Sequence, residues 1–121
     1  MTQGTETVAR YFTSMMEHDW PALRSCLADD FSRVGPYAEH VWNDPEEYVA
    51  FVSGLLPGLR KHGVEVTRVS GDGAVVHAEA TETVELDGRQ STVRIAAVFD
   101  LDDGGRIRHV EVFVRRPATA P

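Results

Sequence analysis

The chain has 121 residues, 42% of them hydrophobic and 26% charged, with one cysteine and a formal net charge of −7. That length suits one domain with its own core, and a lone cysteine excludes an internal disulfide or a multi-cysteine zinc site. Nineteen acidic residues against 12 basic ones, with no basic stripe, exclude a nucleic-acid footprint or an anionic-membrane anchor. No apolar run approaches the roughly 20 residues that span a bilayer, and the N-terminus lacks a basic-then-apolar leader pattern. The expectation is a cytoplasmic protein with neither a membrane nor a nucleic-acid partner.

The first 60 residues carry helical periodicity. Val8, Tyr11, Phe12, Met15 and Met16 recur at three- and four-residue steps and predict a helix from about Thr5 to His18. Asp19 is placed to cap a second, short helix with Pro21 in its first turn; Leu23, Cys26 and Leu27 form its face, and Asp29-Asp30 end it. Between Phe31 and Asn43 the chain is polar and broken by Gly35-Pro36, too irregular for a regular strand. A third helix opens at Asn43 or Asp44, with Pro45 in its first turn and Glu46-Glu47 at the positive end of its dipole. Tyr48, Phe51, Val52, Leu55 and Leu56 line one face of it until Pro57-Gly58.

From Val64 onward the period is two. Val64–Val69 alternates, Gly71-Asp72-Gly73 turns the chain, and Ala74–Leu86 is a long strand closed by Asp87-Gly88. Thr92–Asp102 is its partner, and Asp103-Gly104-Gly105 leads into a last strand, Arg106–Arg116, before a tail at Pro117–Pro121. Helices first and a long antiparallel meander afterwards predict an α+β fold: one curved sheet packed on three helices and enclosing a cone. A small ligand would sit in such a cone. The whole chain reads as a single domain with an ordered core at about 5–116.

Alternation also assigns faces. On the long strand Val76, Ala78, Ala80, Glu82, Val84 and Leu86 face the helices, with Glu82 the one charge among them. It either reaches water at the strand end or serves as an acid, a base or a hydrogen-bond anchor, and Arg33 or Arg108 is its candidate partner. On the next strand Val93, Ile95, Ala97, Phe99 and Leu101 face inward. On the last strand the more apolar face, Arg108, Val110, Val112 and Val114, is taken as the inner one, which puts Ile107, His109 and Phe113 outside. The segment 31–43 concentrates Arg33, Tyr37, Glu39, His40 and Trp42, a set that suits either a ligand site or a plug at the open end of the cone. The five histidines form no HxxxH or HxH pair, so no metal and no cofactor is expected.

The run Ala9–Phe31, the Asp-Pro start of the third helix, the Gly-Asp-Gly turn and the strand ending Phe99-Asp-Leu-Asp-Asp-Gly-Gly-Arg-Ile107 resemble the nuclear transport factor 2-like superfamily. That group includes ketosteroid isomerases and SnoaL-like polyketide cyclases. The resemblance spans about residues 5–116 and implies the same cone-shaped α+β barrel. It matches the isomerase pattern at the oxyanion-hole tyrosine, Tyr11. The general-base aspartate falls on Gly35 and the second oxyanion-hole acid on Ala97, so steroid isomerisation by that mechanism is rejected.

The replacement set is Tyr11, Arg33 and Glu82, in which Tyr11 donates to a developing oxyanion, Arg33 holds a carboxylate or phosphate-like group, and Glu82 moves a proton. Tyr37, His40, Trp42, Phe51, Ala97, Phe99, Arg108 and Val110 are the candidate ligand contacts. The resemblance implies a small-molecule enzyme or binder, performing acid–base isomerase, cyclase or hydratase chemistry on a hydrophobic carbonyl compound. The alternative is a non-catalytic association or ligand-sensing domain. A homodimer through the mixed outer sheet face is expected in either case.

Overall fold

Each of the three helices begins on a side-chain cap. Thr2 accepts the Thr5 N–H at 3.2 Å to start α1 (Gln3–Met16), two residues ahead of the start read from periodicity. Asp19 accepts the Ala22 N–H at 3.1 Å and opens α2 (Trp20–Ser25). Asp44 rather than Asn43 caps α3 (Pro45–Leu55), accepting the Glu46 N–H at 2.9 Å. A 3₁₀ turn at Leu56–Gly58 follows, and six strands complete the fold: β1 (Leu27–Val34), β2 (Val41–Trp42), β3 (Arg60–Ser70), β4 (Val75–Leu86), β5 (Arg89–Leu101) and β6 (Ile107–Arg115). This computed structural model describes residues 2–37, 39–71 and 73–115. Asp72 of the Gly-Asp-Gly turn and the tail at Pro117–Pro121 lie outside the described residues. No helix among them is long and apolar enough to cross a membrane.

The strands form one curved sheet in the order β2-β1-β6-β5-β4-β3, antiparallel except for the parallel β1–β6 pair. Its concave face packs on the helices as the expected α+β cone. Val8, Tyr11, Phe12 and Met15 of α1 and Tyr48 and Val52 of α3 meet Phe31, Val76, Phe99 and Val110 of the sheet in one buried cluster. Phe99 stands edge-on to both Tyr11 and Phe12, with ring centroids 5.3 and 5.9 Å away. Such buried aromatics contribute several kcal/mol each, about 3–5 by truncation to alanine.

The structure differs from the sequence reading in three places, each with a local cause. First, α2 stops at Ser25 and the polar run Leu27–Val34 is a strand, because Leu27 and Phe31 bury fully while Asp29 and Asp30 point to solvent. Val41 and Trp42 then return beside it, with Arg33 opposite Trp42. Second, β3 begins at Arg60, four residues early, and carries a bulge between Arg60 and Gly63 where Lys61 adopts φ +53°. Third, the β5–β6 register shifts between Asp100 and Leu101. That bulge gives two consecutive residues of β6 the wrong phase for simple alternation. Ile107 therefore faces the core with no exposed surface, and Arg108 faces solvent; the inward assignment of Arg108 is wrong.

The turn after β1 depends on Gly35, whose φ of +93° belongs to glycine's territory. A Cβ at this position would collide with the carbonyl oxygen of Val112. Gly35→Ala is expected to cost about 2–4 kcal/mol in urea denaturation. Gly54→Ala, in α3 with nothing within 4 Å of the added carbon, is expected to be neutral or stabilising by up to about 1 kcal/mol. Equal effects at the two sites would contradict this account of the turn.

Candidate active site

The cone encloses a cavity of about 90 Å³, bounded by α1 and α3 on one side and by the inner faces of β1, β4, β5 and β6 on the other. Phe12, Met15, Ile95, Ala97, Phe99 and Val110 supply its apolar wall. Four polar side chains enter it from four different elements: Tyr11 from α1, Arg33 from β1, Tyr48 from α3 and Glu82 from β4.

The two phenols are joined. Tyr11 and Tyr48, 4% and 1% exposed, bring their hydroxyl oxygens to 2.5 Å. One hydroxyl proton is spent between them, and the other is free to point at a ligand. With Tyr48 donating to Tyr11, the outward-pointing donor is Tyr11, polarised by the bond behind it. Burial, with the neighbouring Tyr11, pushes the Tyr48 phenol well above its ordinary pKa, so it stays protonated as a donor.

Arg33 is largely buried beside them. Its Nη1 donates to the Gly35 carbonyl at 2.7 Å, and its Nε has no hydrogen-bond partner among the described residues. The guanidinium carbon lies 5.3 Å from the Trp42 ring centre and 5.5 Å from that of Tyr48, within range for cation–π attraction. Burial works against the charge, but Tyr48, Tyr11 and Glu82 outweigh it and hold the guanidinium above its ordinary pKa. The ion pairs among the described residues do not include Arg33.

Glu82 has neither of the partners expected from sequence. Its Oε2 lies 2.9 Å from Nε2 of His62, whose side chain is only 6% exposed against 38% for Glu82. His62 reads from sequence as a helix-end residue. It belongs instead to β3, and the phase of Val64 and Val66 carried back two residues is the signal that would have placed it inside. Tyr48 was legible only as a core position on the third helix, although, like Tyr11, it carries a hydroxyl on an otherwise apolar helix face.

The candidate contacts divide accordingly. Ala97, Phe99 and Val110 line the cavity with Tyr11, Arg33 and Glu82. Arg108 points to solvent, on the far side of the sheet. Phe51 is 41% exposed and covers the outer side of Trp42, 4.7 Å between ring centres. Tyr37 is 48% exposed and meets only His40 edge-on, while His40 leans on Trp42. Tyr37 and His40 lie outside the cavity wall on the loop after the Gly35-Pro36 turn, Phe51 stands on the exposed side of α3, and the β6 bulge turns Arg108 outward. Trp42 acts on the cavity only from behind, through the face it offers to Arg33. Among the described residues, no three His, Cys, Asp or Glu side chains gather as a metal site. Cys26 is buried, and burial raises its thiol pKa, which leaves it a poor nucleophile.

The sequence model of the SnoaL-like domain family matches residues 8–110. The chain belongs to the SnoaL-like family. Its fold is similar to that of an LEH-like epoxide hydrolase from M. tuberculosis, at 18% identity and a TM-score of 0.80 over 93% of this chain and 83% of that one. It is similar to a protein from Jannaschia sp. CCS1 named as a SnoaL-like polyketide cyclase, at 22% identity and TM-score 0.80, over 93% and 85% of the two chains. An NTF2-like protein of unknown function from Burkholderia pseudomallei aligns at 18% identity and TM-score 0.83, over 95% and 92%. At these identities the likeness is one of fold. No curated protein matches the chain by sequence. Within this SnoaL-like cone, the place where the isomerase resemblance expects an aspartate is the Gly35 turn, which has no room for a side chain.

Removing either phenolic hydroxyl leaves the other buried without its partner. Tyr11→Phe and Tyr48→Phe are each expected to lower stability by about 1–3 kcal/mol, and the double variant by clearly less than their sum. Chemical denaturation of the four proteins in a double-mutant cycle measures this coupling; additive losses would mean that the hydroxyls are independent.

Proposed function

We propose that this SnoaL-like protein is a cofactor-independent enzyme that moves protons on a small, largely apolar carbonyl compound. The observation that carries the reading is the convergence of a hydroxyl pair, a guanidinium and a hydrogen-bonded carboxylate on one apolar cavity. A plugged cone would argue for a purely structural domain. Here Trp42 and Phe51 stack outside the wall, and space remains beside Glu82.

In this reading the carbonyl oxygen lies against Tyr11, whose proton stabilises the negative charge that builds as an adjacent C–H bond breaks. Glu82 takes the proton from that C–H bond and returns it elsewhere on the substrate, or to water, with His62 holding the carboxylate in place. Pre-set donors in a dry cavity are effective because they do not need to reorganise as the charge forms. The names of the structural relatives, an epoxide hydrolase and a polyketide cyclase, fit a fold that hosts acid–base chemistry on small organic molecules.

The test is hydrogen–deuterium exchange next to the carbonyl, followed by NMR in D₂O over small ketones, aldehydes and oxo acids. The wild-type protein is expected to speed exchange over buffer for at least one of them. Glu82→Gln should reduce that rate by about 10²-fold or more, and Tyr11→Phe by about 10–10²-fold. A wild-type rate equal to buffer across the panel, or variants as fast as wild type, favours the non-catalytic reading.

We place the second copy of a homodimer on the outer sheet face. Val75 and Phe113 are 40% and 49% exposed there, beside charges of both signs in Glu79 and Arg94 that suit a self-complementary contact. Light scattering at micromolar concentration is expected to give the dimer mass, reduced to the monomer by Phe113→Asp; a monomeric wild type overturns the assignment.

A further inference from the structure

Arg33 stands in the cavity as a permanent cation for which the described residues offer no carboxylate within ion-pair distance. A buried charge is costly unless it is paired and its donors are used. Its stabilisation comes from one carbonyl oxygen and two aromatic faces, and Nε is unspent. Glu82, the carboxylate closest in effect, gives its Oε2 to His62 instead. Among the described residues no carboxylate completes this guanidinium.

We propose that the cavity takes a small carboxylate, with its carboxylate group on the Arg33 guanidinium and a compact apolar body against Ala97, Phe99 and Val110. Arginine suits this role because its planar fork meets both oxygens of a carboxylate. Size sets the rest of the molecule. A cavity of about 90 Å³ has room for roughly six to nine water-sized groups, which matches an acid of about four to six carbons and excludes polycyclic ligands. The inference rests on the proposed function only in using the same cavity: it adds that the carbonyl substrate is itself an acid, such as a short oxo acid.

Isobutyrate and its neutral isostere isobutyramide separate this proposal from the catalytic one, since neither needs to react. Calorimetric titration of the wild-type protein is expected to give at least tenfold tighter binding for isobutyrate. Arg33→Met should abolish that preference. Should Arg33→Met fail to fold, the Arg33 Nε–H resonance of the ¹⁵N-labelled wild type serves instead, shifting with isobutyrate and not with isobutyramide. Equal affinity for the two probes, or an unchanged Arg33 resonance, overturns the carboxylate assignment. If isobutyrate fails to bind while exchange on neutral ketones proceeds, this inference falls and the catalytic reading stands.

Discussion

A guanidinium inside an apolar cone is tolerable only where its surroundings supply negative potential without supplying water. Arg33 meets that condition through the faces of Trp42 and Tyr48, the carbonyl of Gly35 and the oxygens of the paired phenols. Much of the nearby architecture serves this arrangement. The β1–β2 pairing sets Trp42 opposite Arg33, the Gly35 turn brings a carbonyl back toward the same side chain, and the cap at Asp44 starts α3 where Tyr48 can reach Tyr11. The same condition makes the cavity polar at one place and apolar elsewhere. That asymmetry is what orients a small ligand.

Strand phase decides which charges belong to this interior. In β3, His62 keeps the inward phase of Val64 and Val66, so Glu82 is met by an imidazole rather than by an arginine. In β6, the shift between Asp100 and Leu101 exchanges Ile107 for Arg108 and keeps a second cation out. That bulge reverses the side-chain assignment that strict alternation makes. The result is a cavity with one unpaired cation and one hydrogen-bonded acid, chemically different from one in which Arg108 neutralised Glu82.

The placement of the acid follows from backbone geometry as well. At Gly35 the left-handed φ and the nearness of the Val112 carbonyl leave no space for a carboxylate-bearing side chain. Glu82, on the long central hairpin, reaches the cavity from the opposite wall. A proton acceptor on β4 approaches a ligand held at Tyr11 from a different direction than one on the β1 turn, so the fold's likeness to isomerases carries no reaction with it.

Much of the fold was legible along the chain because local signals and global packing agree. Asp19, Asp44 and Pro45 mark helix starts, Asp87-Gly88 marks the hairpin, and period-two alternation correctly turned Val76, Ala78, Ala97 and Phe99 inward. Glu82 stood out as a charge on an apolar strand face, Tyr11 through the resemblance to the isomerase pattern, and Arg33 as the cation of the polar-aromatic segment 31–43. Residues 27–34 did not read as a strand, because their polar side chains sit on a strand that buries only part of its length. Tyr37 and His40 looked like ligand contacts by composition and Phe51 by its place on the third helix; the path of the loop and the packing of α3 leave all three outside the cavity. Composition and periodicity determined the class of fold and which residues were unusual, since both depend on nearest neighbours. The tertiary structure decided their partners — Tyr11 with Tyr48, Glu82 with His62, Arg33 with a carbonyl and two rings but no carboxylate among the described residues — because strand pairing and helix packing bring together residues whose separation in sequence carries no periodic signal.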